Sequence, residues 1–498
     1  MEYMVYILMG LSKMEIGRFK EDILMYDLSK VDLGEDEAEQ DERLKEYFLK
    51  TQSYINAFNG TKTIVIGRKG SGKSAIFTLL RYELEESDAL VVQITPDQYS
   101  WSALKDYEEQ GILPEQAHTN AWKLTILYSI IWKLNDQGLI SDRSELCKYV
   151  KYMRDSFTPN IDSWFFNITK KAKEALSSFE TQWVSIKDNK IMTPLKIIEE
   201  IKAILINEWP QHIKIRVLID RLDDSWDASK SSENLIIGLL KATTYINSQL
   251  KNKVITTVFI RSDIYDNLFF DDQDKLRQFE ETLFWNTTDL KSVVSERVKV
   301  SLNLNNINNE EIWKGLFSNK LYRSKASAEK YIIDRTFKRP RDIISFVRMA
   351  LEESVKAGYG SCIEPTDTRI AEEERYSQSK YKDLIIEYRK QIPYIKDLLD
   401  SFSGHIHKLS KEELLAHLDT FTESNSIKKQ SVQILRELFT MGFIGIKRKG
   451  RAGVKQRGGE FFYYYYDDQS LNPLNFDTFY IHPALRHYLN ITENRSKS

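Results

Sequence analysis

The residues Gly67-Arg68-Lys69-Gly70-Ser71-Gly72-Lys73-Ser74 place three glycines, a lysine and a terminal hydroxyl at the spacing of a phosphate-cradling loop. Glycines let backbone N–H groups close around phosphate oxygens. A helix opening at Ala75 adds the favourable partial charge of its N-terminus. In that chemistry Lys73 reaches the β- and γ-phosphates and the Ser74 hydroxyl joins the shell of a Mg2+ ion. The plain alternative is a Gly-rich turn carrying a solvated lysine. Against it, an apolar run from Thr63 to Ile66 precedes the loop and an amphipathic stretch from Ala75 to Leu84 follows, the strand and helix that phosphate binding requires.

A metal-bound phosphate needs an acid on a neighbouring strand. The run Val217-Leu-Ile-Asp220 ends in a carboxylate, and Asp223, Asp224 and Asp227 follow within a few positions. Asp220, at the carboxyl end of its strand, is suited to hold Mg2+ directly or through water. Asp223 and Asp224 are the candidates to orient a water at the γ-phosphate. A third apolar run, Val254 to Ile260, ends in Arg261-Ser262-Asp263. Arg261 emerges beside the phosphates if its strand neighbours that of Asp220, or is an arginine salt-bridged at a strand end. Finally, Arg339-Pro340-Arg341 opens an amphipathic helix from Ile343 to Val355. Pro340 fixes the helix start, and a cation in a first turn opposes the helix dipole. Arg341 therefore calls for an anion: a γ-phosphate, or only Asp342 or Asp334.

In this order the residues resemble the AAA+ and STAND branches of P-loop NTPases. Gly67–Ser74 is similar to Walker A, Val217–Asp220 to Walker B, Arg261/Ser262 to a sensor 1 position, and Arg339-Pro-Arg341 to the sensor 2 helix of origin-recognition-type initiators. The chain also resembles a family of bacterial P-loop ATPases with a GRKGSGK-type loop and an IDRLDD-type second motif. The resemblance implies ATP and Mg2+ as ligands, with Gly67 to Ala75 around the nucleotide and Ser74 and Asp220 at the metal. It implies catalytic roles for Lys73, Asp223 or Asp224, Arg261 and Arg341. ATP is favoured further because no guanine-reading N-K-x-D motif occurs. The chain departs from AAA+ enzymes where Arg221, rather than glutamate, follows the metal aspartate. STAND members place acids a few residues later, as here, which implies slow, switch-like hydrolysis. Arg277 and Arg297 are open as arginines supplied to a neighbouring copy.

The elements needed to hold these groups predict an α/β fold. Its core is a three-layer P-loop NTPase unit with a parallel sheet, followed by a helical lid and a C-terminal winged helix. The 147 positions between Lys73 and Asp220 exceed a simple crossover, so a helical insertion is expected over 101–209. The expected units are an acidic helical lead-in over 1–50, the core over 51–285, the lid over 286–357, a polar linker over 358–382 and the winged helix over 383–498. Seven acids between Asp32 and Glu42 read as a solvated loop running into a helix. In the last unit Ser410-Lys-Glu-Glu413 is a capping box opening a helix to Leu418. A second helix spans Lys429 to Met441, strands follow at Phe443–Lys447 and Glu460–Tyr466, and a closing helix starts at Tyr480.

From Lys447 to Arg457 six of eleven residues are basic (Lys447, Arg448, Lys449, Arg451, Lys455, Arg457) and none is acidic. Such a glycine-containing loop can lie along a nucleic-acid backbone. Its alternatives are a solvated hairpin tip or an arm packed on an acidic partner subunit. The whole chain carries a net charge of −2, so any nucleic-acid surface is local. Its two cysteines, Cys147 and Cys362, form no metal-binding spacing, which excludes thiolate zinc sites and disulfide scaffolds. The apolar run Met4–Leu11 is too short to span a bilayer and lacks a signal peptide's basic flank. A cytoplasmic protein with no membrane contact is expected, with Met14, where clean amphipathic sequence begins, as an alternative start. Two functions fit: an ATP-driven conformational switch in a DNA transaction or antiviral defence, self-associating or acting with a protein partner, and a non-hydrolysing scaffold or nucleic-acid-binding protein stabilised by nucleotide.

Overall fold

The computed structural model describes residues 26–95, 115–156, 183–184, 191–192, 194–223, 226–322, 325–358, 360–449 and 460–493. The core unit begins with α1 (Gln52–Asn59), β1 (Ile64–Gly67), α2 (Lys73–Glu86) and β2 (Leu90–Ile94). It continues through α3 (Glu115–Asp136), α4 (Pro194–Asn207), β3 (Ile215–Ile219), α5 (Lys230–Gln249), β4 (Val254–Arg261) and β5 (Glu280–Thr282). The five strands form one sheet in the order β2-β3-β4-β1-β5, and every pairing is parallel. Apart from the short edge strand β5, its strands are β-branched runs largely buried on both faces, as a parallel sheet between helices demands. Period-2 alternation divides them. Ile64, Ile66, Val217 and Ile260 pack with α3, α4 and α5 on one face, while Val65, Leu218 and Phe259 pack with α1 and α2 on the other. The fold is a three-layer α/β sandwich. Trp122, Ile126 and Ile130 form the buried stripe of α3, so the described part of the expected insertion covers the sheet itself.

The lid follows as α6 (Thr287–Ser301), helices at Asn309–Leu316 and Ala328–Asp334, and α7 (Pro340–Lys356). Pro340 occupies the first turn of α7, where its missing N–H costs nothing. The next segment corrects the expected polar linker. Pro365–Ala371, a π-turn at Glu372–Tyr376 and α8 (Ser377–Tyr388) run on as helix. Asp367, Thr368, Glu372, Ser377 and Lys380 in this run are buried.

The C-terminal unit is a winged helix: β6 (Lys408–Ser410), α9 (Lys411–Ser424), α10 (Ser431–Thr440), β7 (Ile444–Lys449), β8 (Glu460–Tyr463) and β9 (Thr478–Ile481). Its antiparallel sheet has the order β8-β7-β9-β6. The capping box at α9 forms: Glu413 N–H donates to Ser410 Oγ at 3.1 Å and Ser410 N–H to Glu413 Oε2 at 2.8 Å. The helix expected from Tyr480 is instead β9 and, after it, a short turn of helix over Pro483–Arg486. Among the described residues no helix is long and apolar enough to cross a membrane.

Candidate active site

The sheet order decides which sequence motifs meet. β4 lies between the phosphate-loop strand β1 and the Asp220 strand β3, with Gly67 in register with Arg261. The carboxyl ends of β1, β4 and β3 therefore present Gly67 to Ser74, Arg261 and Asp220 side by side. This edge is where parallel α/β sheets bind ligands.

The loop from Gly67 to Ser74 has the shape of an anion cradle. Gly72 caps α2 with φ +94 and Gly70 turns with φ +77, both in the left-handed region that favours glycine. A Cβ at Gly70 would also stand 3.1 Å from Arg341 Cβ. Lys73 folds over the loop, donating to the carbonyls of Gly67 (2.8 Å) and Arg68 (3.2 Å). Burial lowers its pKa, while Asp223 and Asp220 act to raise it. Ser71 Oγ is buried with no hydrogen-bond partner, and Trp285 Nε1 braces the Ser71 carbonyl at 2.9 Å. An orphaned hydroxyl within a glycine-permitted turn fits a polyphosphate. Ser74 and Ala75, half-buried, open α2 beside it. Arg68 is turned away, donating to the Phe337 carbonyl and lying 4.3 Å from the Tyr466 ring centroid. Lys69 is half-buried.

Asp220 is 5% exposed. Burial pushes its carboxyl up to about 6, against the Arg221 N–H and Lys73, which favour the anion. Arg221 takes φ +62, an uncommon conformation for a non-glycine residue, and its side chain reaches Glu39 at 3.5 Å. Asp223 sits 3.4 Å from Arg261 Nη1. Asp224 lies outside the described residues. Arg261 also holds Asp263 through two contacts, at 2.9 and 2.7 Å, so both readings of this arginine describe it: it is salt-bridged and it stands beside the loop.

Arg341 is the contrasting cation. Asp342 pairs with Lys380 at 2.8 Å and Asp334 with Lys330 at 2.6 Å, so neither acid offered by the sequence takes it. Its N–H donates to the Gly70 carbonyl at 3.3 Å, which seats the start of α7 on the phosphate loop. Arg339 is buried and bound to Glu387.

A feature not read from the sequence adjoins the loop. Tyr47, Phe48, Ala75, Ile76, Trp285 and Ile344 line an apolar cleft of about 50 Å³ against the first turn of α2. Its residues come from the lead-in, the core and the lid, so no local pattern announces it. Arg297 borders the cleft and is paired with Asp41 at 3.1 Å, both side chains buried. That removes Arg297 as an arginine offered to another copy. It also corrects the solvated reading of the acidic run, at least for Asp41. Arg277 is exposed.

The basic wing divides. Lys447, Arg448 and Lys449 lie on β7, paired with β8 in an antiparallel hairpin. Lys447 Nζ is 4.9 Å from the Tyr480 ring centroid. The side chains of Arg448 and Lys449, and all of Arg451, Lys455 and Arg457, lie outside the described residues.

Residues 288–385, from α6 into α8, match the family described as the FunZ-associated C-terminal helical domain. A curated relative, the "Putative transposon gamma-delta 80.3 kDa protein" of Escherichia coli (strain K12), is 25% identical over 447 residues. The match covers 84% of this chain, which spans 62% of that protein's length. Among solved structures, a Drosophila ORC chain bound to DNA is similar over 97% of both chains, at TM-score 0.30 and 10% identity. Cdc6p from Pyrobaculum aerophilum is similar over 86% of this chain and 93% of its own, again at TM-score 0.30 and 10% identity. At these scores the likeness carries no argument about function or partners.

Proposed function

We propose that this protein is a Mg2+-dependent ATPase that works as a conformational switch. The observation that carries the reading is the convergence at one sheet edge of the glycine-shaped loop with Lys73, Asp220, Asp223, Arg261 and Arg341. Lys73 exchanges its two carbonyl contacts for phosphate oxygens, and the loop N–H groups and Ser71 Oγ take the rest of the charge. Ser74 and Asp220 would hold Mg2+, which would supply charge neutralisation at the phosphates. Asp223, or Asp224, orients water. Arg341, unclaimed by Asp342 or Asp334, takes the terminal phosphate and draws α7 towards the loop. The apolar cleft beside Ala75 receives the base. Lined by residues of the lead-in, the core and the lid packed on one another, it widens to do so. That widening moves the lead-in and lid together, as a switch requires.

We place the switch in the cytoplasm, in a DNA transaction or in antiviral defence. The transposon named in the relative's description and the basic wing support a nucleic-acid partner or a protein partner acting on DNA. A second reading, nucleotide-stabilised scaffolding without hydrolysis, is favoured by one contact: Arg261 occupies Asp223, the nearest described acid able to orient water. Steady-state ATP hydrolysis with and without double-stranded DNA, single-stranded DNA and RNA separates the two. Turnover that one nucleic acid raises severalfold, and that Lys73→Ala abolishes, is the expected outcome. ATP binding with no turnover under any condition would leave the scaffold, and intact ATP affinity in Lys73→Ala would sink both.

A further inference from the structure

Glu387 stands at the end of α8, in the segment that leads from the lid into the winged helix, and is 3% exposed. Its carboxylate grips Arg339 with both oxygens, at 2.8 and 3.4 Å. Its backbone carbonyl accepts from Arg261 Nη2 at 3.1 Å. One residue thus holds two arginines that flank the phosphate loop from different elements: Arg261 at the end of β4, and Arg339, the N-cap of α7. Each arginine hands the constraint on. Arg261 contacts Asp223 at 3.4 Å, and the Arg339 carbonyl accepts from the N–H groups of Asp342 (3.1 Å) and Ile343 (3.2 Å), the first turn that carries Arg341. Gln391, four residues further along, donates to Asp263 Oδ2 at 2.9 Å and completes the ring around Arg261.

A buried ion pair is weak evidence of a stabilising role, because apolar side chains of similar volume often serve as well or better. What apolar residues cannot do is fix the planes of two guanidinium groups. A bidentate carboxylate and an aligned carbonyl do so. Among the described residues no hydrogen bond or ion pair joins Glu387 to the phosphate loop or to Asp220, and its charge is felt at the loop only through Arg68, which is turned away, so it acts through its partners.

We propose that Glu387 is a positioning residue for nucleotide hydrolysis, setting Asp223 through Arg261 and Arg341 through Arg339, and thereby passing the placement of the winged helix to the phosphate site. This rests on the ATPase reading above. It differs from that reading in predicting which step fails. Without the Glu387 carboxylate the phosphate loop still binds nucleotide and the backbone carbonyl still holds Arg261, but Arg339, and with it Arg341 at the terminal phosphate, is no longer aligned.

The test uses the full chain and three variants, Glu387→Gln, Glu387→Asp and the double Arg339→Met/Glu387→Met, each measured for thermal midpoint, affinity for a fluorescent ATP analogue, kcat and KM. Glu387→Gln should keep the affinity and KM within about twofold of the parent and lose about tenfold or more in kcat, the pattern of lost alignment rather than lost binding. Glu387→Asp should recover part of kcat. The double variant, with no buried charge left unpaired, should restore the midpoint while kcat stays low. Wild-type kcat in the double variant, or in a folded Glu387→Gln, would overturn the proposal and leave the pair a structural clamp. Should both of those fail to fold, Glu387→Asp decides: unchanged kcat overturns the proposal, and a fall in kcat at constant KM sustains it. A parent protein with no Lys73-dependent turnover would instead defeat the ATPase reading, an outcome separate from any of these.

Discussion

Asp220 shows how a single residue can trade stability for chemistry. Its carboxyl ionises near 3.8 when unfolded and is pushed up to about 6 by burial in the folded chain. Between those values the folded state holds the extra proton, so stability falls as pH rises through that window and is level above it. The difference amounts to ~3 kcal/mol above pH 6. Asp220→Asn should therefore raise the thermal midpoint by a few degrees at pH 7.5, by about a third as much at pH 4.5, and abolish Mg2+-dependent turnover. An equal rise at both pH values would show that ionisation is not the cause. On the ATPase reading proposed above, the parent's turnover should climb as pH rises through about 6, where Asp220 becomes the anion proposed to hold Mg2+. This residue was legible in the sequence because an apolar strand ending in an acid is a local pattern. The partnership of Arg297 with Asp41 was not, since 256 positions separate the two. Glu387 was silent for the same reason: its contact to Arg261 spans 126 positions.

At the scale of elements, the four principal strands of the core sheet were visible as short β-branched runs. β5 was not, for Glu280-Glu-Thr282 carries no apolar run and pairs only as an edge. The expected linker over 358–382 failed for a more instructive reason. Its polar residues suggested solvent, yet they are matched to one another and to the lid. Lys380 meets Asp342, Glu372 meets Arg335 at 2.8 Å, and Tyr322 meets Thr368 at 2.9 Å. Composition records polarity, and only the fold shows whether it is paired. The apolar cleft belongs to this scale as well, because three elements build it. Ala75→Trp should fill the cleft from α2 while leaving the phosphate loop intact. ATP affinity should drop by about tenfold or more, the weight of a base stacked in an apolar site at ~1.4 kcal/mol per decade. Inorganic triphosphate should bind as before. Equal losses for both ligands would mean that the loop itself is distorted; no loss for ATP would place the base elsewhere.

The molecule as a whole is held by three apolar clusters among the described residues, and their boundaries do not follow the expected domains. Two lie on the faces of the core sheet. The third is continuous from the lid through α8 to the end of the winged helix, joining Val294, Phe346, Tyr376, Leu435 and Ile481 in one core. Tyr26, Leu28 and Leu33 of the lead-in belong to it too, and Tyr26 packs so closely on Gly315 that a Cβ there would stand 2.7 Å from its ring. The lead-in is thus a strap. Asp36 pairs with Arg348 at 2.5 Å, Asp41 with Arg297 at 3.1 Å, and Glu39 with Arg221 at 3.5 Å, so it ties the lid to the turn after Asp220. Of these pairs only Arg297–Asp41 is buried, and removing one partner leaves a buried charge unmatched, at a cost of ~3–5 kcal/mol. Asp41→Asn should therefore destabilise the third cluster selectively. Hydrogen exchange should quicken together in α6, α7 and α10, because elements that share a core open as one unit, while β1, β3 and β4 keep their protection. Exchange that quickens only in the strap would show that the strap is decoration on the lid. Exchange that quickens equally in the sheet would show that lid, winged helix and core form a single cooperative unit, leaving no boundary across which a nucleotide could switch them.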